Sequence, residues 1–233
     1  VNEAEMVKKS KRHLANLSQF EKGQRFSFAE AIDLIHNKFK PSKFDETVEI
    51  AIQLGVDVKK SDQMVRGAVS LPRGIGKELR VVVFTKEDRV QEALDAGAIK
   101  AGGQELAKEV QDGFMDFDVA IATPDVMPVV GKLGKILGPQ GKMPSPKAGT
   151  VTQEIATAVQ EYKAGKIEFR ADSGGNVHAP VGKRSFPKEA LMENIQTFIE
   201  YVKSIKPPAT RGQYILNIAL STSMGPGIPV ELS

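Results

Sequence analysis

Four lysines, Lys132, Lys135, Lys142 and Lys147, fall within residues 130–151 with no acidic residue among them. Ammonium groups gathered in an acid-free stretch are chemistry for a phosphate-bearing partner. Gly138, Pro139, Gly141, Pro144 and Pro146 interrupt regular structure, glycine by freeing the backbone and proline by fixing φ and removing a donor. The segment therefore reads as an ordered loop leaving a short helix. Its partner would be a nucleotide or a folded RNA; the alternative is a solvated loop with none. A phosphate-binding Walker loop would need glycine at 136 and serine or threonine at 143, where the chain has Ile136 and Met143. Gly138-Pro139-Gln140-Gly141 has the GXXG spacing of a nucleotide-clamping loop, but the elements around it are wrong for that module.

Other routes to catalysis fail on residue types. Phe84-Thr85-Lys86-Glu87 follows the first apolar strand without the glycines of a dinucleotide fingerprint, and no Gly-x-Ser-x-Gly occurs. Cysteine is absent, and the three histidines, His13, His36 and His178, are scattered. Asp116 and Asp118 could hold a metal, but surface carboxylates are the commoner case. No catalytic residue, cofactor or metal site is expected, with a nucleotide-binding α/β enzyme as the alternative reading.

Better candidates for RNA chemistry lie elsewhere. Lys43 and Phe44 stand where a helix hands over to a strand, with Thr47 and Glu49 along its polar side; Phe44 reads either as core or as a ring facing RNA. Ser221-Thr222-Ser223-Met224-Gly225 offers three hydroxyls, a pliant apolar side chain and bare backbone, suited to 2′-OH and phosphate contacts or to a polar turn. Glu168, Arg170 and His178 lie on two strands expected to pair across 166–181, Arg170 being suited to a bidentate phosphate. Lys8-Lys9-Ser10-Lys11-Arg12 forms a basic arm, either an RNA contact or a solvated helix turn.

The elements that must position these residues follow two grammars. Ser27-Phe28-Ala29-Glu30 is a capping box, followed by Phe28, Ile32, Ile35 and Phe39 at helical spacing. Residues 44–54 then alternate, with Phe44, Val48, Ile50, Ile52 and Leu54 on one side. After Leu71-Pro72-Arg73-Gly74 the strands become apolar throughout, at 79–84 and 117–122, and alternate with helices near 87–96 and 104–111. Thr152 is expected to cap a further helix that ends at Gly165. Alternation returns at 166–170, 177–181 and 214–220, with Asp172–Gly175 as a turn and a long amphipathic helix after Pro187. The expectation is an α+β outer domain, an antiparallel sheet with two main helices, formed by both chain ends (1–73 and 166–233). An α/β Rossmann-like domain (74–165) is inserted in it across two chain crossings that could hinge.

Charge supports binding through particular faces. The 233 residues carry a net charge of only +3, yet residues 74–165 hold 11 basic against 13 acidic side chains. Four of those eleven are the lysines of the loop. No run reaches the roughly 18 apolar residues of a membrane span, no signal-peptide core is present, and Glu3 and Glu5 argue against a transit peptide.

Ser61-Asp62-Gln63-Met64-Val65-Arg66-Gly67, Phe117–Asp125, Ile136–Val151 and Ser221–Pro226 together resemble the bacterial-type ribosomal L-one family of large-subunit stalk proteins. The resemblance runs from about Phe26 to Val230, and Ile136–Val151 is its most specific part. It implies binding to a folded stalk of large-subunit rRNA, contact with tRNA leaving the exit site and, in many bacterial members, repression of the protein's own mRNA. It further implies a monomer within the ribosome, in the bacterial cytoplasm or alternatively an organelle. The family's contact motifs fall on Lys43, Phe44 and Thr47, and on Ser223, Met224 and Gly225, which favours the RNA-facing reading of Phe44. Lys132, Lys135, Lys142 and Lys147 would be a secondary contact. Many relatives have Arg-Gly-Leu at Gln140-Gly141-Lys142, so the loop's charge is displaced here.

Overall fold

The computed structural model describes residues 10–21, 23–60, 62–210 and 212–231, leaving aside the side chain of Lys147. Lys8 and Lys9 of the basic arm lie outside the described residues. In chain order the elements are α1 (Lys11–Leu17), α2 (Phe28–Asp33, continued by a π-turn over Leu34–Lys38), β1 (Thr47–Leu54), β2 (Arg66–Ser70), β3 (Val81–Phe84), α3 (Val90–Asp95) and β4 (Lys100–Gly102). There follow α4 (Gln104–Gln111), β5 (Val119–Ala122), α5 (Met127–Val130), α6 (Gly134–Leu137), α7 (Ile155–Ala164), β6 (Lys166–Arg170), β7 (Asn176–Lys183), α8 (Lys188–Ser204), β8 (Ile215–Thr222) and β9 (Ile228–Val230). The chain divides into two compact units, residues 1–65 with 171–233, and residues 66–170.

The first unit is a four-stranded antiparallel sheet in the order β7-β1-β8-β9. Alternation makes it one-sided. Val48, Ile50 and Ile52 of β1, Val177 and Val181 of β7 and Leu220 of β8 are buried beneath Ile32 and Ile35 of α2 and Leu191, Ile195 and Phe198 of α8. Glu49, Gln53, His178 and Asn217 occupy the other, solvent-facing side. The expected capping box is complete: the Ser27 hydroxyl accepts from the Glu30 amide, and the Glu30 carboxylate accepts from the Ser27 amide.

The second unit is built on a three-stranded parallel sheet, β4-β3-β5, covered on both faces. Val82, Phe84, Leu106, Val110, Phe117, Val130, Leu133 and Leu137 fill one layer, and Val81, Val83, Ile121, Ile155, Val159 and Tyr162 the other. Parallel strands need helical crossovers, so each strand is apolar on both sides. At the foot of the sheet Asp118 accepts from Lys77 Nζ at 2.8 Å and from the Arg80 amide at 3.0 Å, while Arg80 also pairs with Asp116. The two carboxylates are therefore held by cations.

Three expectations are corrected. The outer boundary falls at 65/66 and 170/171 rather than at 73/74 and 165/166, because β2 and β6 pair only with each other and pack against α7 and the turn at 146–148. A two-stranded ribbon alternates just as an outer-sheet strand does, so periodicity cannot say which body it joins. For the same reason 166–170 and 177–181 are not a pair. The Asp172 turn is present, its Oδ1 accepting from the Gly174 and Asn176 amides, but it leads β6 of one unit to β7 of the other. Thr152 does not cap α7; it lies two residues before the N-cap position, Glu154, and its hydroxyl accepts from the Glu154 amide.

Burial disfavours the charged form of Asp118, yet the bonds from Lys77 and Arg80 outweigh it and bring its carboxyl down to about 2. A depressed carboxylate stabilises the fold fully above its ordinary value of about 4 and loses that contribution as pH falls through about 2. Asp118→Asn should lower the melting temperature by several degrees at pH 7. The gap to the parent protein should close between about pH 4 and pH 2, as read by thermal denaturation across that range.

Candidate nucleic-acid interface

The loop from Phe39 to Glu46 carries Lys43 and Phe44 and is clamped from several sides. Asn16 of α1 exchanges two hydrogen bonds with the Lys40 backbone, at 2.8 and 3.3 Å. Arg184, just beyond β7, donates Nη2 to the Phe39 carbonyl at 2.7 Å and its amide to the Glu46 carbonyl at 2.8 Å. Asp45 accepts from both the amide and the hydroxyl of Ser185.

Glu46 is the pivot, only 2% exposed although it is an acid. Burial opposes its ionisation, but bonds from Thr222 and Ser42 and the charge of Arg12 prevail and hold the carboxyl below the ordinary range. It lies in phase with Val48, Ile50 and Ile52, so an acid occupies the dry side of the strand and its neighbours must satisfy it.

Beside Glu46, β1 and β8 are tied at their ends. The Thr47 amide donates to Ser223 Oγ at 3.0 Å, the Ser223 amide donates to the Thr47 carbonyl at 3.1 Å, and Lys183 Nζ donates to Thr47 Oγ1 at 2.9 Å. The following turn is closed by Gly225, whose amide reaches the Thr222 carbonyl. Any side chain there would strike Thr222. The result is a rigid rim from which two large apolar side chains project into solvent, Phe44 at 56% exposure and Met224 at 50%. Lys43 is exposed on the same loop, and Ser221 is half-buried opposite Glu49. A flat ring, a pliant thioether side chain, ammonium groups and hydroxyls on a pinned backbone can stack a base and hold phosphates and 2′-hydroxyls.

The structure thus brings Lys43, Phe44, Thr47, Ser221, Ser223, Met224 and Gly225 to one rim. Phe44 is a surface ring and not core. His178 lies on the open face of the same sheet, opposite Ala51 and 3.7 Å from Asp172, five residues along β7 from the rim. Thr222 is a correction: at 4% exposure it is buried, and its hydroxyl serves Glu46. It shares the parity of Ile218 and Leu220, which was visible in the sequence. Glu168 and Arg170 sit on β6 of the second unit, which pairs with β2 and not with His178's strand. Sequence reasoning missed Glu46, Lys183, Arg184 and Ser185; only the parity of Glu46 could have flagged one of them.

The lysine loop is also revised. Lys132 and Lys135 are exposed, but Lys142 turns inward, its Nζ donating to the Met115 carbonyl at 3.1 Å and lying 4.9 Å from the centre of the Phe117 ring. Ser145 and Thr150 bond each other across the turn, and the buried Tyr162 hydroxyl donates to the Ala148 carbonyl at 3.0 Å. The loop is ordered, as its composition implied, with Lys142 acting as an anchor. The Lys147 side chain lies outside the described residues. Among the described residues no cluster of three metal-ligating side chains occurs, and no helix is long and apolar enough to cross a membrane.

Residues 36–226 match the model of the Ribosomal protein L1p/L10e family. The chain is also 49% identical over 226 residues to the large ribosomal subunit protein uL1 of Syntrophobacter fumaroxidans (strain DSM 10017 / MPOB), covering 97% of this chain and 96% of that relative. The chain belongs to this ribosomal protein family.

Thr222→Val keeps the shape but removes the hydroxyl that satisfies a buried carboxylate. It should cost about 1–3 kcal/mol, read as a lower urea midpoint with an unchanged slope.

Proposed function

We propose that the protein is a constituent of the large ribosomal subunit that grips a folded rRNA element with the rim of its first unit. The observation that carries this reading is the pair Phe44 and Met224, half or more exposed on a backbone that a buried network holds still. Exposed apolar groups beside lysine and hydroxyls mark a surface meant to be covered by a partner with both bases and phosphates. Membership of a ribosomal protein family and the printed name of the relative from Syntrophobacter fumaroxidans point the same way.

The work is binding without chemistry. Lys43 and Lys183 supply salt-dependent attraction to phosphates; Phe44 and Met224 pack on bases; Ser221 and Ser223 reach 2′-hydroxyls. Since the rim reads shape, any RNA presenting the same shape competes for it, which is how the protein would repress its own mRNA in the bacterial cytoplasm. Contact with exit-site tRNA would be a separate, transient task, with Lys132 and Lys135 as the loop's available cations.

Phe44→Ala and Met224→Asp should each weaken binding to the large-subunit rRNA stalk fragment at least tenfold in filter binding, with the melting temperature unchanged. Lys43→Gln should instead reduce the slope of log affinity against log salt by about 1. Undiminished affinity in Phe44→Ala and Met224→Asp would move the site elsewhere.

A further inference from the structure

The β2–β6 ribbon places Arg66 directly opposite Arg170. Like charges at facing positions of an antiparallel pair repel, so the arrangement weakens the ribbon unless something anionic bridges it. Among the described residues neither guanidinium makes a hydrogen bond or ion pair. Glu168, diagonal to Arg66, is the acid that feels it, yet no bond joins them. Crowding by its surroundings pushes the Glu168 carboxyl above the ordinary range, with the charge of Arg66 only partly opposing this.

These three side chains line one wall of a groove of about 460 Å³, lying wholly within the second unit. Its other wall is the glycine–proline loop, which contributes Met143, Pro144 and Pro146. Gly141, at φ +70°, leaves the loop crest bare, with open space where a side chain would stand. The groove therefore has two unpaired guanidiniums, a lone carboxylate and a flat apolar side held by prolines. Loop anchoring through Lys142 and Tyr162 keeps that side in place without a ligand.

We infer that this groove holds one nucleotide of a single-stranded RNA segment. Its phosphate bridges Arg66 and Arg170, its base lies on Met143 and Pro146, and its 2′-hydroxyl donates to Glu168. Guanidiniums match phosphate oxygens in a bidentate manner and, unlike lysine, do so at fixed geometry. A base has an apolar face that packs against proline and methionine irrespective of its identity, so the groove tolerates sequence variation. The carboxyl group accepts a hydrogen bond from a 2′-hydroxyl, the feature that separates ribose from deoxyribose. This site uses none of the rim residues, so it stands whether or not the rim binds rRNA.

The test uses the full chain and fluorescein-labelled oligouridylate of about ten nucleotides, followed by fluorescence anisotropy, with the matching oligothymidylate in parallel. The intact protein should bind the RNA at least fivefold more tightly than the DNA. Arg66→Gln with Arg170→Gln should weaken oligouridylate binding at least tenfold while changing affinity for the rRNA stalk fragment less than threefold. Phe44→Ala with Met224→Asp should leave oligouridylate binding within threefold. Glu168→Ala should bring RNA and DNA affinities within twofold of each other. Thermal melts accompany each variant, and the double glutamine variant should melt no lower than the parent because it removes a repulsion. Absence of oligouridylate binding by the intact protein, equal loss in the rim variant, or no loss in the double glutamine variant would overturn the inference. A failure of the rim reading would appear only in the rRNA-fragment arm.

Discussion

A charged carboxylate inside a protein is tolerable only when its lone pairs are occupied, and the rim of the first unit is organised around that demand at Glu46. Satisfying it recruits Ser42 from its own loop, Thr222 from β8 and Arg12 from α1. Those partners come from distant parts of the chain, so one buried acid draws three segments to the same end of the sheet. The neighbouring Thr47–Ser223 and Asp45–Ser185 bonds then fix the residues on either side. Phe44 and Met224 are held outward as a consequence. Leaving them exposed forgoes the stabilisation that their burial would bring.

The second unit meets a different constraint. A parallel sheet of three short strands has no dry side of its own and is stable only if helices cover both faces. The long segment after β5 completes one of those layers with Val130, Leu133 and Leu137 before it turns into the glycine–proline loop. Lys142 illustrates how a basic loop is converted into structure: a part-buried carbonyl and an aromatic face engage its ammonium group. Counting lysines in a loop therefore overstates what the loop can offer a polyanion.

Residue patterns made much of this legible. The capping box at Ser27, the helix at 104–111, the dry face of β1 and the apolar strands of the parallel sheet all follow from periodicity and local hydrogen-bond chemistry, which act over a few residues. The same parity sets Thr222 with Ile218 and Leu220, and Glu46 with Val48 and Ile50, yet Thr222 reads as a surface hydroxyl and Glu46 goes unmarked because each is polar; burial of both is a finding of the structure. At the rim, Lys43, Phe44, Thr47, Ser223, Met224 and Gly225 were recognisable as a set through family resemblance. The clamp behind them was not, because Asn16, Arg184 and Ser185 have no local feature that marks their distant partners.

Strand pairing was the main thing beyond reach. An amphipathic strand advertises which of its faces is dry but not which strand it joins, and β2 and β6 look like members of the outer sheet until their hydrogen bonds are traced. That single pairing assigned Glu168 and Arg170 to the second unit and set Arg66 against Arg170. The amino-acid order by itself determined the elements, their buried faces and the cationic, glycine–proline character of the loop, since each depends on neighbours within a few residues. The tertiary structure alone decided which exposed groups share a surface, because that depends on hydrogen bonds between segments more than a hundred residues apart.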